Sequence, residues 1–78
     1  MKNHRAFLEA FGKNLKKLRI EKNLSCRKMA QLCEVDYSDI SKIERAKINI
    51  QLTTVYELSK ALEVEPSKLF NFDLTWKK

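Results

Sequence analysis

Between Arg5 and Lys22 the apolar residues Phe7, Leu8, Phe11, Leu15 and Leu18 recur with basic residues between them. That period of about 3.6 residues predicts an amphipathic first helix. Asn3 stands where it can cap the start, and Asn23 where a helix ends in the left-handed conformation, with Leu24 folding back onto the end. Ser25 then has the chemistry of an N-cap for a short second helix, with Met29, Leu32 and Cys33 on its apolar face and an end near Leu32 or Cys33. Asp36 is placed to cap a third helix, with Asp39 in its first turn and Ile40 and Ile43 facing inward. Arg45 to Ile50 reads as a loop. Leu52, Val55, Leu58, Ala61 and Leu62 mark a fourth helix, and Pro66 suits the first position of a fifth.

The pattern is therefore all-α, a compact five-helix domain spanning 1–78. Its centre is two short helices between about 25 and 45, separated by three or four residues, and its C-terminal helices lie at about 52–72. Helices joined by so short a turn cross steeply, and Ala30 is the small residue such a crossing needs. Met29, Cys33, Val35, Ile40 and Ile43 are spaced to fill the angle between them. The opposite face of the third helix presents Tyr37, Ser38, Ser41, Lys42 and Arg45, all able to hydrogen-bond. A face built to pack would not carry these residues.

Composition narrows the picture. The 78 residues include one Gly and one Pro, which suits a helical chain better than a sheet-rich one. The longest run without a charged side chain, Ile48 to Tyr56, is nine residues, far short of the 18 or so that suggest a membrane span. The basic N-terminus lacks the uninterrupted apolar stretch of a signal peptide, because Glu9, Lys13, Lys16 and Lys17 break it, so a cytoplasmic location is expected. The net charge is +6, and residues 1 to 30 hold nine Lys or Arg against Glu9 and Glu21. Such an asymmetric surface attracts polyanions. Cys26 and Cys33 on one helix would have Cα atoms about 10 Å apart, beyond disulfide reach. Two thiols and a distant His4 do not make a zinc site. No nucleophile–base set, phosphate loop or metal cluster is evident, so neither enzyme chemistry nor a cofactor is expected. Tyr56, Phe70, Phe72, Leu74 and Trp76 exceed what one small core needs and are expected to form part of a homodimer surface, the competing reading being that they close the monomer's own core.

The segments LSCRKMAQLCEVDYSDISKIERAKIN and LTTVYELSKALEVEPSKLF resemble the Cro/lambdoid-repressor (XRE) family of helix-turn-helix DNA-binding proteins over Phe11 to Phe72. The small size, the extended first helix and the short tail look most like the controller proteins of restriction-modification systems, or other stand-alone repressor-like regulators. The resemblance implies that the third helix enters the DNA major groove. It carries base contacts over to Tyr37, Ser38 and Lys42, with Ser41 and Asp39 beside them; Asp39 can accept from cytosine N4, but phosphates would repel it, and its other reading is a carboxylate that only stabilises its helix terminus. It implies a phosphate contact at Ser25 and Cys26, with Arg27, Arg45, Lys47 and Asn49 as further phosphate candidates and Lys17 and Lys13 beyond them. Position 26 is commonly Gln in the family, and a thiol does not replace that amide. The resemblance also pairs Arg19 with Glu44 in a partly buried salt bridge beneath the third helix.

Three positions depart from the family pattern. Asn23, Glu34 and Ala46 stand where glycine is usual, and Glu34 and Ala46 either hold a positive φ at a cost of about 1 kcal/mol or more, or the turn adjusts instead. Cys33 reads as a core thiol. Cys26, at a helix start among Arg27 and Lys28, has either enhanced thiolate character or no role beyond its size. Glu57, Glu63 and Glu65 read as solvated charges. Two functions follow: a dimeric regulator reading a pseudo-palindrome in double-stranded DNA, or an antitoxin-like protein-interaction module with DNA binding secondary. Activation, as opposed to repression, would require an added contact with RNA polymerase.

Overall fold

The computed structural model describes residues 4–74. In order these form α1 (His4–Glu21), α2 (Cys26–Ala30), α3 (Tyr37–Glu44), α4 (Leu52–Leu62) and a 3₁₀ segment, Pro66–Phe70. Among the described residues every regular element is helical. Leu15, Met29, Ile40, Leu58, Leu62 and Leu69 are fully buried where these elements meet, with Phe11, Leu18, Ile43, Val55 and Ala61 around them. Each α-helix contributes at least one of these side chains, so none of the short helices has to be stable alone.

Four details differ from the sequence reading. The fifth element starts at Pro66 as expected but is 3₁₀ rather than α. The Asn14 side chain donates from Nδ2 to the Lys68 and Leu69 carbonyls, both at 2.9 Å, and so occupies acceptors a longer α-helix would need. Helix α2 stops at Ala30, because the Gln31 and Leu32 amides turn to tighter bonds with Lys28 and Met29. Leu52, one of the apolar residues that mark α4, is 82% exposed at the first position of that helix. Asp36 occupies the N-cap position of α3, but its carboxylate accepts no capping hydrogen bond, leaving only charge against the helix terminus.

Three helices end in the same way. After α1, Leu24 N–H donates to Arg19 O and Asn23 N–H to Ile20 O; after α3, Lys47 donates to Lys42 and Ala46 to Ile43; after α4, Val64 donates to Ser59 and Glu63 to Lys60. These are Schellman caps, whose pivot residue takes a left-handed backbone. The pivots are Asn23 (φ 59°), Ala46 (φ 59°) and Glu63 (φ 57°). Asn23 and Ala46 were anticipated; Glu63 was not, having been read as a solvated charge. Glu34 has no positive φ, so the cost expected there is absent. The early end of α2 leaves Gln31 to Asp36 to make the connection, and a six-residue turn needs no left-handed residue.

Helices α1 and α3 approach closely at Gly12 of α1, the only glycine in the chain. A Cβ there would stand 2.6 Å from the backbone carbonyl oxygens of both Ile43 and Glu44. The absent side chain lets α1 lie directly on the end of α3, and so sets the height and tilt of α3 above the core. Ala30, offered as the small residue of the helix crossing, is half-buried against the same core.

Candidate nucleic-acid interface

Ser25 begins the surface. Its Oγ accepts the Lys28 amide at 3.0 Å and fixes the start of α2, whose other first-turn amides have no acceptor within the helix. After the six-residue turn that follows α2, Tyr37 starts α3, and the two helix starts lie side by side: the Arg27 guanidinium stacks on the Tyr37 ring, 4.0 Å from its centroid. Along α3, Ser38 and Lys42 are exposed and Ser41 is half-buried, while Ile40 and Ile43 on the opposite face are buried. Arg45, just past the end, donates from Nε to the Ser41 carbonyl at 3.4 Å, which bends it back along the helix.

Together these residues line one shallow groove of about 500 Å³. Its walls are Ser25, Cys26 and Arg27 on one side and Tyr37, Ser38, Ser41, Lys42 and Arg45 on the other. Two cationic guanidinium groups and a lysine face it with no carboxylate among its walls. The other sequence candidates lie elsewhere. Asp39 and Asn49 border a different groove with Glu34, Thr54 and Gln51. Lys13 and Lys17 are exposed on α1, and Lys47 is exposed in the loop after α3.

Beneath the groove Arg19 and Glu44 form a two-pronged pair, Nε to Oε2 at 2.6 Å and Nη2 to Oε1 at 3.0 Å. Their side chains are only 12% and 7% exposed. The third prong, Nη1, donates to the Leu24 carbonyl at 2.7 Å. One guanidinium thus joins the end of α1, the approach to α2 and the last turn of α3. The Glu44 hydrogen bond raises the Arg19 pKa, so the cation persists at every physiological pH. Every fully buried side-chain nitrogen and oxygen among the described residues has a hydrogen-bond partner.

Cys26, half-buried, lines the groove but also packs against the core beside this pair. Burial, and then the Glu44 carboxylate, raise its pKa, outweighing the nearby Arg19 and Lys16. The enhanced thiolate character considered from its helix-start position is therefore reversed: the charge it senses most is negative. Cys33 is half-buried rather than fully enclosed and donates to the Met29 carbonyl at 3.6 Å; burial raises its pKa too.

Two structural residues went unnoticed in the sequence. Glu57, read as a solvated charge, accepts the Glu34 backbone N–H at 3.0 Å and pairs with Lys60 at 3.2 Å. That backbone bond, first, and Lys60 lower its pKa. It pins the turn between α2 and α3 to α4. Asn14, polar at mid-helix, carries no sign in the sequence of its contact with the 3₁₀ segment.

The C-terminal aromatic residues divide. Phe70 and Phe72 meet Phe7 at centroid distances of 6.5 and 5.8 Å, and Phe70 meets Phe11 at 5.2 Å, so the first turns of α1 cover part of that patch within the chain. Leu74 is half-buried, and Trp76 lies outside the described residues. Tyr56, 58% exposed, lies one helical turn beyond Leu52 on the outer side of α4. No described helix is long and apolar enough to cross a membrane.

Known proteins share this arrangement. The crystal structure of the restriction-modification controller protein C.AhdI from Aeromonas hydrophila superposes with a TM-score of 0.81 at 38% identity, over 83% of this chain and 98% of that one. The control protein C.BamHI of Bacillus amyloliquefaciens is 38% identical over 63 residues, 80% of this chain and 78% of that protein. The C.Esp1396I controller tetramer, solved in complex with its natural 35-base-pair operator, matches with a TM-score of 0.76 at 30% identity, over 82% of this chain and 84% of that one. Residues 15–69 fit the helix-turn-helix family HTH_3, and the chain belongs to that family.

Proposed function

We propose that this protein is a transcriptional regulator of the restriction-modification controller type, which binds a specific double-stranded DNA operator as a homodimer with α3 in the major groove. The observation that carries this reading is the single groove in which eight of the thirteen DNA-contact candidates meet without an opposing carboxylate. The start of α2, with Ser25 and Arg27, is suited to one phosphate, and Arg45, Lys47 and Lys17 to others. Lys42 can reach guanine O6 and N7; Tyr37, Ser38 and Ser41 offer hydroxyls and, for Tyr37, an apolar ring for a thymine methyl. Cys26 contributes to packing rather than to phosphate binding. Asp39, turned toward Glu34 and Thr54, stabilises its helix terminus. The dimer face combines Leu52 and Tyr56 of α4 with Phe70 at its rim, and two copies would set their α3 helices about one DNA turn, or 34 Å, apart. Repression then follows from occupancy, and activation adds a contact with RNA polymerase.

Selection of bound duplexes from a random pool at about 0.15 M salt, with non-specific competitor, tests the proposal. An enriched inverted repeat is the expected result. A folded protein that enriches nothing would remove the operator reading and favour a protein-partner module.

A further inference from the structure

Arg27 is the second residue of α2, where the helix dipole disfavours a cation, and among the described residues it forms no ion pair. What holds it is the Tyr37 ring. A guanidinium stacked on an aromatic face keeps its five N–H donors in its own plane, free to bond outward. The ring, for its part, is 45% exposed at the first position of α3, with the Arg27 guanidinium against its face on the groove side.

We propose that Arg27 is a positioning and specificity-determining residue: stacked on Tyr37, it fixes the ring before DNA arrives, so the base step read by Tyr37 depends on Arg27. The inference rests on the DNA-binding reading above. It separates two roles that an arginine at a helix start combines. As a phosphate ligand Arg27 would strengthen binding to every sequence alike. As the partner of Tyr37 it also removes the freedom an exposed ring would otherwise lose on binding, and that gain is realised only where the base matches the ring's fixed position.

The experiment uses the operator obtained by selection and a set of duplexes with each base pair changed in turn. Affinities are measured for the wild type, Arg27→Lys, Tyr37→Leu and the double variant, with circular dichroism confirming that each is folded. Arg27→Lys keeps the charge but loses the planar stack. It is expected to keep the salt dependence of binding while discrimination falls about five- to tenfold at the same base pairs that Tyr37→Leu affects. The double variant is expected to discriminate no worse than Tyr37→Leu alone. Uniform weakening across all duplexes, or unchanged base preferences in Arg27→Lys, would overturn the proposal and leave Arg27 a phosphate contact. Failure of the DNA-binding reading is a separate outcome, in which the wild type itself prefers no duplex, and the proposal falls with it.

Discussion

At the residue scale, the Arg19–Glu44 pair decides more than its energy suggests. Desolvation offsets much of the attraction between two nearly buried charges, so the pair adds little net stability; removing one member strands the other. Glu44→Ala is accordingly expected to cost about 3–5 kcal/mol in urea unfolding, whereas Arg19→Met with Glu44→Leu should recover most of that loss. A loss below about 1 kcal/mol for Glu44→Ala would show that Arg19 finds water. Cys26 beside the pair carries a second prediction, whose sign follows from its raised pKa. At neutral pH the neutral thiol predominates more than it does in a free cysteine, so in a Cys33→Ser background alkylation by iodoacetamide should be slower than for glutathione. Its rate should climb only above the ordinary thiol range. A profile midpoint below that of glutathione would restore the reactive-thiol reading.

At the scale of elements, the three Schellman caps share one geometry with three different side chains, and the differences are predictable. Glu63 is exposed and holds its left-handed backbone without compensation, so Glu63→Gly should raise stability by about 1 kcal/mol in thermal or chemical unfolding. Ala46 is buried, and its glycine variant would lose a packed methyl worth nearly as much, so little gain is expected there. Asn already tolerates this conformation, and Asn23→Gly should be close to neutral. The opposite experiment belongs at Gly12. Alanine there would gain about 1 kcal/mol of helix propensity, but its Cβ meets backbone that cannot rotate away. Gly12→Ala is expected to lose about 1–3 kcal/mol net and to weaken DNA binding, because α3 must shift to make room. Equal stability would mean that α1 and α3 can separate freely.

At the scale of the molecule, periodicity made the helices legible, because each carries its apolar residues on one face and its polar ones on the other. The outward set on α3 was legible for the same reason: Tyr37, Ser38, Lys42 and Arg45 alternate with Ile40 and Ile43. Contacts between elements far apart in sequence were not. Asn14 reaching the 3₁₀ segment, Glu57 holding the Glu34 amide, Gly12 against α3 and Phe7 over Phe70 leave no periodic mark, since a polar or small residue on a helix looks the same whatever it meets. Leu52 shows the related limit that periodicity marks a helix but not which of its apolar residues are covered.

The three-pronged grip of Arg19 has a consequence for how the molecule opens. An eight-residue helix alone would exchange its amide hydrogens almost as fast as an unfolded peptide. Helix α3, however, is fastened through Glu44 to α1 and to the chain entering α2, so it cannot fray without releasing them. In native-state hydrogen exchange, the amides of Ile43 and Glu44 should therefore open only with the whole domain, at the same free energy and denaturant sensitivity as Leu15 and Leu58. Faster exchange at Ile43 would mean that α3 opens on its own, and under the DNA-binding role proposed above such a helix would have to refold at each encounter with its target.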